Sequence, residues 1–138
     1  MDKDDKTFDQ SDPSDESDES ILDEIRLDDE LYGQQLDLHP EYQEFLATSG
    51  ADDAYFDEAG EEVNPRLHLM THVILEKQLL LNDPPFVRET VQRLEVRGND
   101  PHDVRHAIMG VLVGLMWETM TKQTDFDAAK YKQELKRL

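Results

Sequence analysis

Three Asn-Pro or Asp-Pro junctions constrain how the second half of this chain can fold. They are Asn64-Pro65, Asp83-Pro84 and Asp100-Pro101. Asn and Asp side chains cap the free N–H groups at the start of a helix, and proline fits the first helical turn. Because an apolar-rich stretch follows each junction, the sequence predicts helices that begin at these points and pack against one another.

These three junctions, together with Pro40 as a further helix start and Gly98 as a helix end, predict five helices. Helix 65–81 is apolar on most sides and is predicted to be the buried central helix. Residues 51–63 are interpreted as an acidic loop, and no strand pattern of period two is apparent. The sequence therefore predicts an all-α fold, a small bundle of about four to five helices. The predicted helices are 40–48, 65–81, about 84–97, about 101–122 and about 126–137.

The acidic residues are concentrated in the front half of the chain. The formal net charge is −19, of which residues 1–31 carry −11, residues 32–65 carry −9 and residues 66–138 carry +1. The first twenty residues hold too little apolar surface to offset the entropy of ordering, so we expect disorder there. The predicted organisation is an acidic disordered tail, 1–31, and a single helical domain, 32–138.

The charge also bears on partners. Acidic chains are repelled by nucleic acids and by anionic membranes, so we expect neither as a partner. The acidic tail is interpreted either as a solubilising segment or as an arm for a basic protein partner. The chain has no cysteine, no apolar leader and no apolar run long enough to span a bilayer. We expect a soluble cytoplasmic protein.

Four of the five histidines form two pairs at a spacing of four residues. His68 and His72 lie on predicted helix 65–81, and His102 and His106 lie on predicted helix 101–122. Residues four apart project from one face of a helix, so each pair can offer two imidazoles to one cation. If the two helices pack antiparallel, the pairs can face each other. The pattern predicts a metal site.

Two further residues are candidate supports for this site. Glu76 continues the stripe of His68 and His72, and His39 stands at a loop–helix junction. Imidazole and carboxylate ligands suit zinc, iron or manganese better than calcium or magnesium. The alternative interpretation is a buried polar cluster that bonds to carboxylates and fixes the helix register.

No catalytic set stands out. Serines are confined to the tail and position 49, which leaves a Ser-His-Asp arrangement without a nucleophile, and the H-E-x-x-H pattern is absent. A hydrolase using metal-bound water would depend on Glu76 as its base. The sequence therefore favours a non-enzymatic protein and leaves this enzyme class as the alternative.

Helix 101–122 carries two glycines four residues apart, Gly110 and Gly114. Glycine costs a helix interior about 1 kcal/mol relative to alanine. We expect close approach of a neighbouring helix to offset this cost, with a ligand cleft as the alternative. Trp117 and the methionines are predicted to lie in the core.

Four segments carry a family resemblance: HPEY at 39–42, VNPRLHLMTHVILEKQ at 63–78, NDPPFVRE at 82–89 and DPHDVRHAI at 100–108. In this order they resemble the bacterial family called domain of unknown function 1841, over about residues 36–120. The resemblance implies an all-helical fold and no established activity. It would carry over His39, His68, His72, His102 and His106. Met109 and Gly110 stand where some members place a glutamate, which argues against a carboxylate-rich two-metal site and leaves an all-imidazole site possible.

Two hypotheses follow. The first is a helical protein that binds a divalent transition metal (zinc, iron or manganese) through His68, His72, His102 and His106, supported by His39 and Glu76. The second is a non-enzymatic interaction protein in which the acidic arm engages a basic partner and the histidines are part of the core.

Overall fold

The protein is all-α, as predicted, apart from one short pair of strands. The computed structural model describes residues 13–50 and 52–138. Over this part of the chain six helices and two strands follow one another. They are α1 (Pro13–Leu38), α2 (Pro40–Thr48), β1 (Tyr55–Phe56), β2 (Glu62–Val63), α3 (Pro65–Leu81), α4 (Pro85–Val96), α5 (Pro101–Lys122) and α6 (Ala128–Lys136).

The capping signals place the helix starts. Asn64 Oδ1 accepts a hydrogen bond from the Leu67 N–H at 3.1 Å, and Asp100 Oδ2 accepts from the N–H groups of His102 and Asp103 at 2.9 and 3.3 Å. These bonds satisfy N–H groups that have no partner within the helix. The predicted helices 40–48, 65–81 and about 101–122 agree with the bounds of α2, α3 and α5.

Helix α1 is the largest difference from the sequence interpretation. It begins within the segment predicted to be disordered, and the compositional boundary at residue 31 falls inside it. Leu31 and Gln35 are buried, and α1 packs along α3. Lys77 of α3 lies 3.0 Å from both the Glu24 and Asp28 carboxylates. These tertiary contacts stabilise a helix that composition does not indicate. The predicted disorder of residues 1–12 lies outside the described residues.

The segment predicted to be an acidic loop contains the two strands. Tyr55 pairs with Val63 and Phe56 with Glu62 in an antiparallel register. The Tyr55 ring packs edge-on against Tyr42 and Phe45 of α2, with centroids 5.2 and 5.3 Å apart. The hairpin therefore lies against α2 and leads directly into α3.

The core lies between α3, α4, α5 and α6, and α5 contributes most to it. The α5 residues Val104, Ile108, Met109, Leu112 and Leu115 are all buried. Helix α3 is central, as predicted, since it packs against α1, α4 and α5. It is not buried on all sides, because Leu67, Met70 and Leu80 are 46%, 42% and 59% exposed. Apolar residues around a whole helix do not show how many of its sides neighbours cover.

Two expectations for α5 are also wrong. Trp117 and Met120 are 67% and 69% exposed, so they are surface residues. A Cβ atom added at Gly110 or Gly114 would meet no atom within 4 Å, so neither glycine permits close helix packing. Both errors have one cause: the face of α5 that carries these residues is not covered by another described element.

Candidate metal centre

His39 reaches the centre from the break between α1 and α2. Pro40 disfavours the helical conformation at the residue before it, and His39 has φ −126° and ψ 65°. The ring is 2% exposed, and its Nδ1 lies 2.7 Å from the Gln35 carbonyl oxygen. A carbonyl only accepts hydrogen bonds, so Nδ1 carries the proton and donates. In the neutral ring, Nε2 then has a free electron pair.

Helices α3 and α5 supply the two histidine pairs, as the spacing predicts. The cap and proline at the start of each helix fix where its first turn begins, and the interval of four residues puts both rings of a pair on one face. His72 is fully buried, whereas His68, His102 and His106 are partly buried. The centre is therefore closed on the His72 side and more accessible on the others.

Four histidines converge on a common point. One ring nitrogen from each of His39, His68, His72 and His106 lies within 4.8 Å of all the others. The Nε2 atoms of His39 and His68 are 3.3 Å apart, and those of His72 and His106 are 3.1 Å apart. Three separate parts of the chain, the α1–α2 junction, α3 and α5, thus meet at this cluster.

The nitrogen spacing is compatible with a bound transition metal. Zinc–imidazole bonds of about 2.0–2.1 Å in a tetrahedral site place neighbouring ligand nitrogens roughly 3.3 Å apart. Both short Nε2–Nε2 distances are close to this value. An all-imidazole set suits zinc, cobalt, iron, copper or nickel rather than calcium or magnesium, which prefer oxygen ligands. The four histidines could therefore hold a metal ion.

Burial keeps three of the imidazoles neutral, those of His68, His72 and His106. Desolvation, then the neighbouring imidazoles, lowers the pKa of His68 to about 4 and that of His72 to about 2. The pKa of His106 is also lowered, chiefly by desolvation, although the Asp103 and Glu41 carboxylates act in the opposite direction. A neutral imidazole has the electron pair that a metal requires, so the rings are in their ligating form at neutral pH.

One buried polar atom of the cluster has no partner. His72 Nδ1 is shielded from solvent and makes no hydrogen bond, while its Nε2 faces His106 Nε2. A neutral imidazole carries one proton. If that proton is on Nδ1, Nε2 is left with a free electron pair directed toward the His106 ring, which is the arrangement that a metal ligand needs.

His102 and Glu76 occupy different positions from the four clustered residues. The His102 ring packs against His106 with centroids 4.2 Å apart, but it is not among the four whose nitrogens share the common point. Glu76 Oε2 accepts a hydrogen bond from Arg105 Nε at 2.7 Å. The Arg105 guanidinium also lies 3.6 Å from Glu95. Glu76 is thus engaged in an ion pair between α3 and α5, beside the centre.

Sequence reasoning missed two contributors. The Gln35 carbonyl orients His39, and the Tyr42 ring stacks on the His39 ring with centroids 5.4 Å apart and planes 2° from parallel. Tyr42 also packs edge-on against His68 at 5.6 Å. The HPEY segment was a usable signal for Tyr42, because a residue three positions after His39, in the first turn of α2, can pack back against the His39 ring. Gln35 acts through its backbone and leaves no sequence signal.

None of the described helices combines the length and the apolar character needed to cross a membrane. Searches of curated proteins and of solved structures found no match. A family model described as domain of unknown function (DUF1841) matches residues 17–137. This match extends beyond the predicted span of 36–120 at both ends and takes in most of α1 and all of α6. The chain therefore belongs to the DUF1841 family.

Proposed function

We propose that this protein binds one divalent transition-metal ion through His39, His68, His72 and His106. The observation that carries the proposal is the convergence of four ring nitrogens within 4.8 Å of one another. A bare cluster of this kind is costly, because polar rings are removed from water without full compensation. A bound cation gives every free electron pair a partner at once.

The proposed ligand set replaces His102 with His39. His39 is positioned by its bond to the Gln35 carbonyl and by the Tyr42 ring, so its free Nε2 is pre-oriented toward His68. Such supporting contacts typically change metal affinity by about 10–100-fold. His102 is the natural comparison residue, because it lies on the same helix as His106 and packs against it.

The test is metal content and metal-dependent stability of untagged full-length protein. We expect close to one equivalent of zinc or iron in the purified protein, since four imidazole ligands suit these metals. After chelation, added metal should raise the midpoint of thermal unfolding, since a ligand present at 100 times its dissociation constant stabilises the folded state by about 2.7 kcal/mol. Protein that purifies without metal and gains no stability from zinc, iron, cobalt, copper or nickel would refute the proposal.

Matched histidine variants distinguish the proposed ligand set from the one that spacing alone suggests. His39→Gln and His72→Gln should each weaken metal binding by more than about 100-fold, because loss of a direct ligand exceeds loss of a supporting contact. His102→Gln should weaken it less. If His102→Gln abolishes binding while His39→Gln does not, the ligand set is His68, His72, His102 and His106 instead.

A further inference from the structure

A cleft of about 410 Å³ adjoins the histidine cluster. His68 and His106 are part of its lining, and both also belong to the proposed ligand set. The remaining wall is mainly apolar and includes Leu67, Met109 and Val113. The cleft thus combines two histidine side chains beside the proposed metal site with mainly apolar walls, and this combination is typical of small-molecule sites.

Gly110 leaves its part of the cleft wall without a side chain. It lies in the wall, and a Cβ atom added there would meet nothing within 4 Å. Glycine weakens a helix interior, and the close helix packing expected to offset that cost is absent. The second possibility, a ligand cleft, is therefore the better explanation of glycine at this position.

The charge of the lining selects the ligand. None of the described residues that line this cleft is acidic, in a chain with a net charge of −19. Four neutral imidazoles leave a divalent ion with its full positive charge, which attracts an anionic group. An apolar body beside such a centre suits a hydrocarbon chain.

We propose that the cleft binds a small aliphatic carboxylate, with the carboxylate on the metal and the hydrocarbon chain along Leu67, Met109 and Val113. This inference rests on the proposed metal site. The carboxylate takes an additional coordination position, as zinc sites permit when they expand beyond four ligands. The hydrocarbon chain occupies the space that the missing Gly110 side chain leaves.

The experiment uses full-length protein loaded with cobalt(II), whose visible spectrum changes when a ligand joins the metal. Acetate, butyrate and hexanoate are titrated separately. We expect affinity to rise by up to about fourfold for each methylene group that the cleft buries. Gly110→Leu should erase this dependence on chain length while retaining the cobalt spectrum and acetate binding. Gly114→Leu is the matched control, because Gly114 is equally unobstructed but is not part of the cleft lining.

The outcomes separate the two proposals. Cobalt binding with equal affinity for all three carboxylates, or with no response to any of them, overturns the cleft proposal and leaves the metal site standing. Failure to bind cobalt or any other metal overturns both. If Gly110→Leu does not fold, the chain-length series on the wild-type protein still decides, and Gly110→Ala provides a smaller obstruction in the same place.

Discussion

The metal-free protein should lose stability when the pH falls from 7 to 5.5. His68 and His72 have folded-state pKa values of about 4 and about 2, set chiefly by burial, against an ordinary value of 6.5. In this pH window the unfolded chain takes up protons that the folded protein does not. Stability therefore rises with pH, and the loss begins near pH 6.5 and continues toward the folded-state values.

The expected magnitude follows from these values. A histidine that titrates at 6.5 when unfolded and stays neutral when folded removes about 1.2 kcal/mol between pH 7 and 5.5. The His68 and His72 rings together remove about 2.5 kcal/mol. Most carboxylates keep their charge above pH 5.5, because their ordinary pKa values are near 4, so this window isolates the histidines.

The assay is urea unfolding followed by circular dichroism, on chelator-treated protein at constant ionic strength. His68→Gln/His72→Gln is the control, because glutamine does not titrate and should remove most of the dependence. A change in the unfolding free energy below about 0.5 kcal/mol over this window, or an increase in stability on acidification, would refute the reasoning.

Two further predictions concern the core. Leu75→Ala should lower the unfolding free energy by about 2–5 kcal/mol, because Leu75 is fully buried. Leu80→Ala, the control on the same helix, should change the unfolding free energy by less than about 1 kcal/mol, because Leu80 is 59% exposed. Equal losses for the two variants in urea unfolding would contradict this description of α3. The hydroxyl of the buried Tyr131 donates a hydrogen bond to Gln78 Oε1 at 2.8 Å. Tyr131→Phe should therefore lower the unfolding free energy by about 1–2 kcal/mol in the same urea experiment. An unchanged unfolding free energy would show that this hydrogen bond contributes nothing to stability.

The sequence determined the features that depend on near neighbours along the chain. Caps and prolines act within one helical turn, so the bounds of α2, α3 and α5 were predictable. The spacing of His68 and His72, and of His102 and His106, put each pair on one face, because the helical repeat is fixed by backbone geometry. These local rules were sufficient for the all-α fold and for the suspicion of a histidine site.

Tertiary structure decided which residues meet and which remain exposed. His39 contributes one of the four converging ring nitrogens, whereas His102 lies beside the cluster. Glu76 forms an ion pair with Arg105 instead of facing the cluster. Tertiary structure also left Trp117 on the surface. Local spacing fixes the relative direction of two side chains on one helix, but it does not fix which other helix lies opposite them. That depends on the packing of distant segments, for which helical periodicity carries no information.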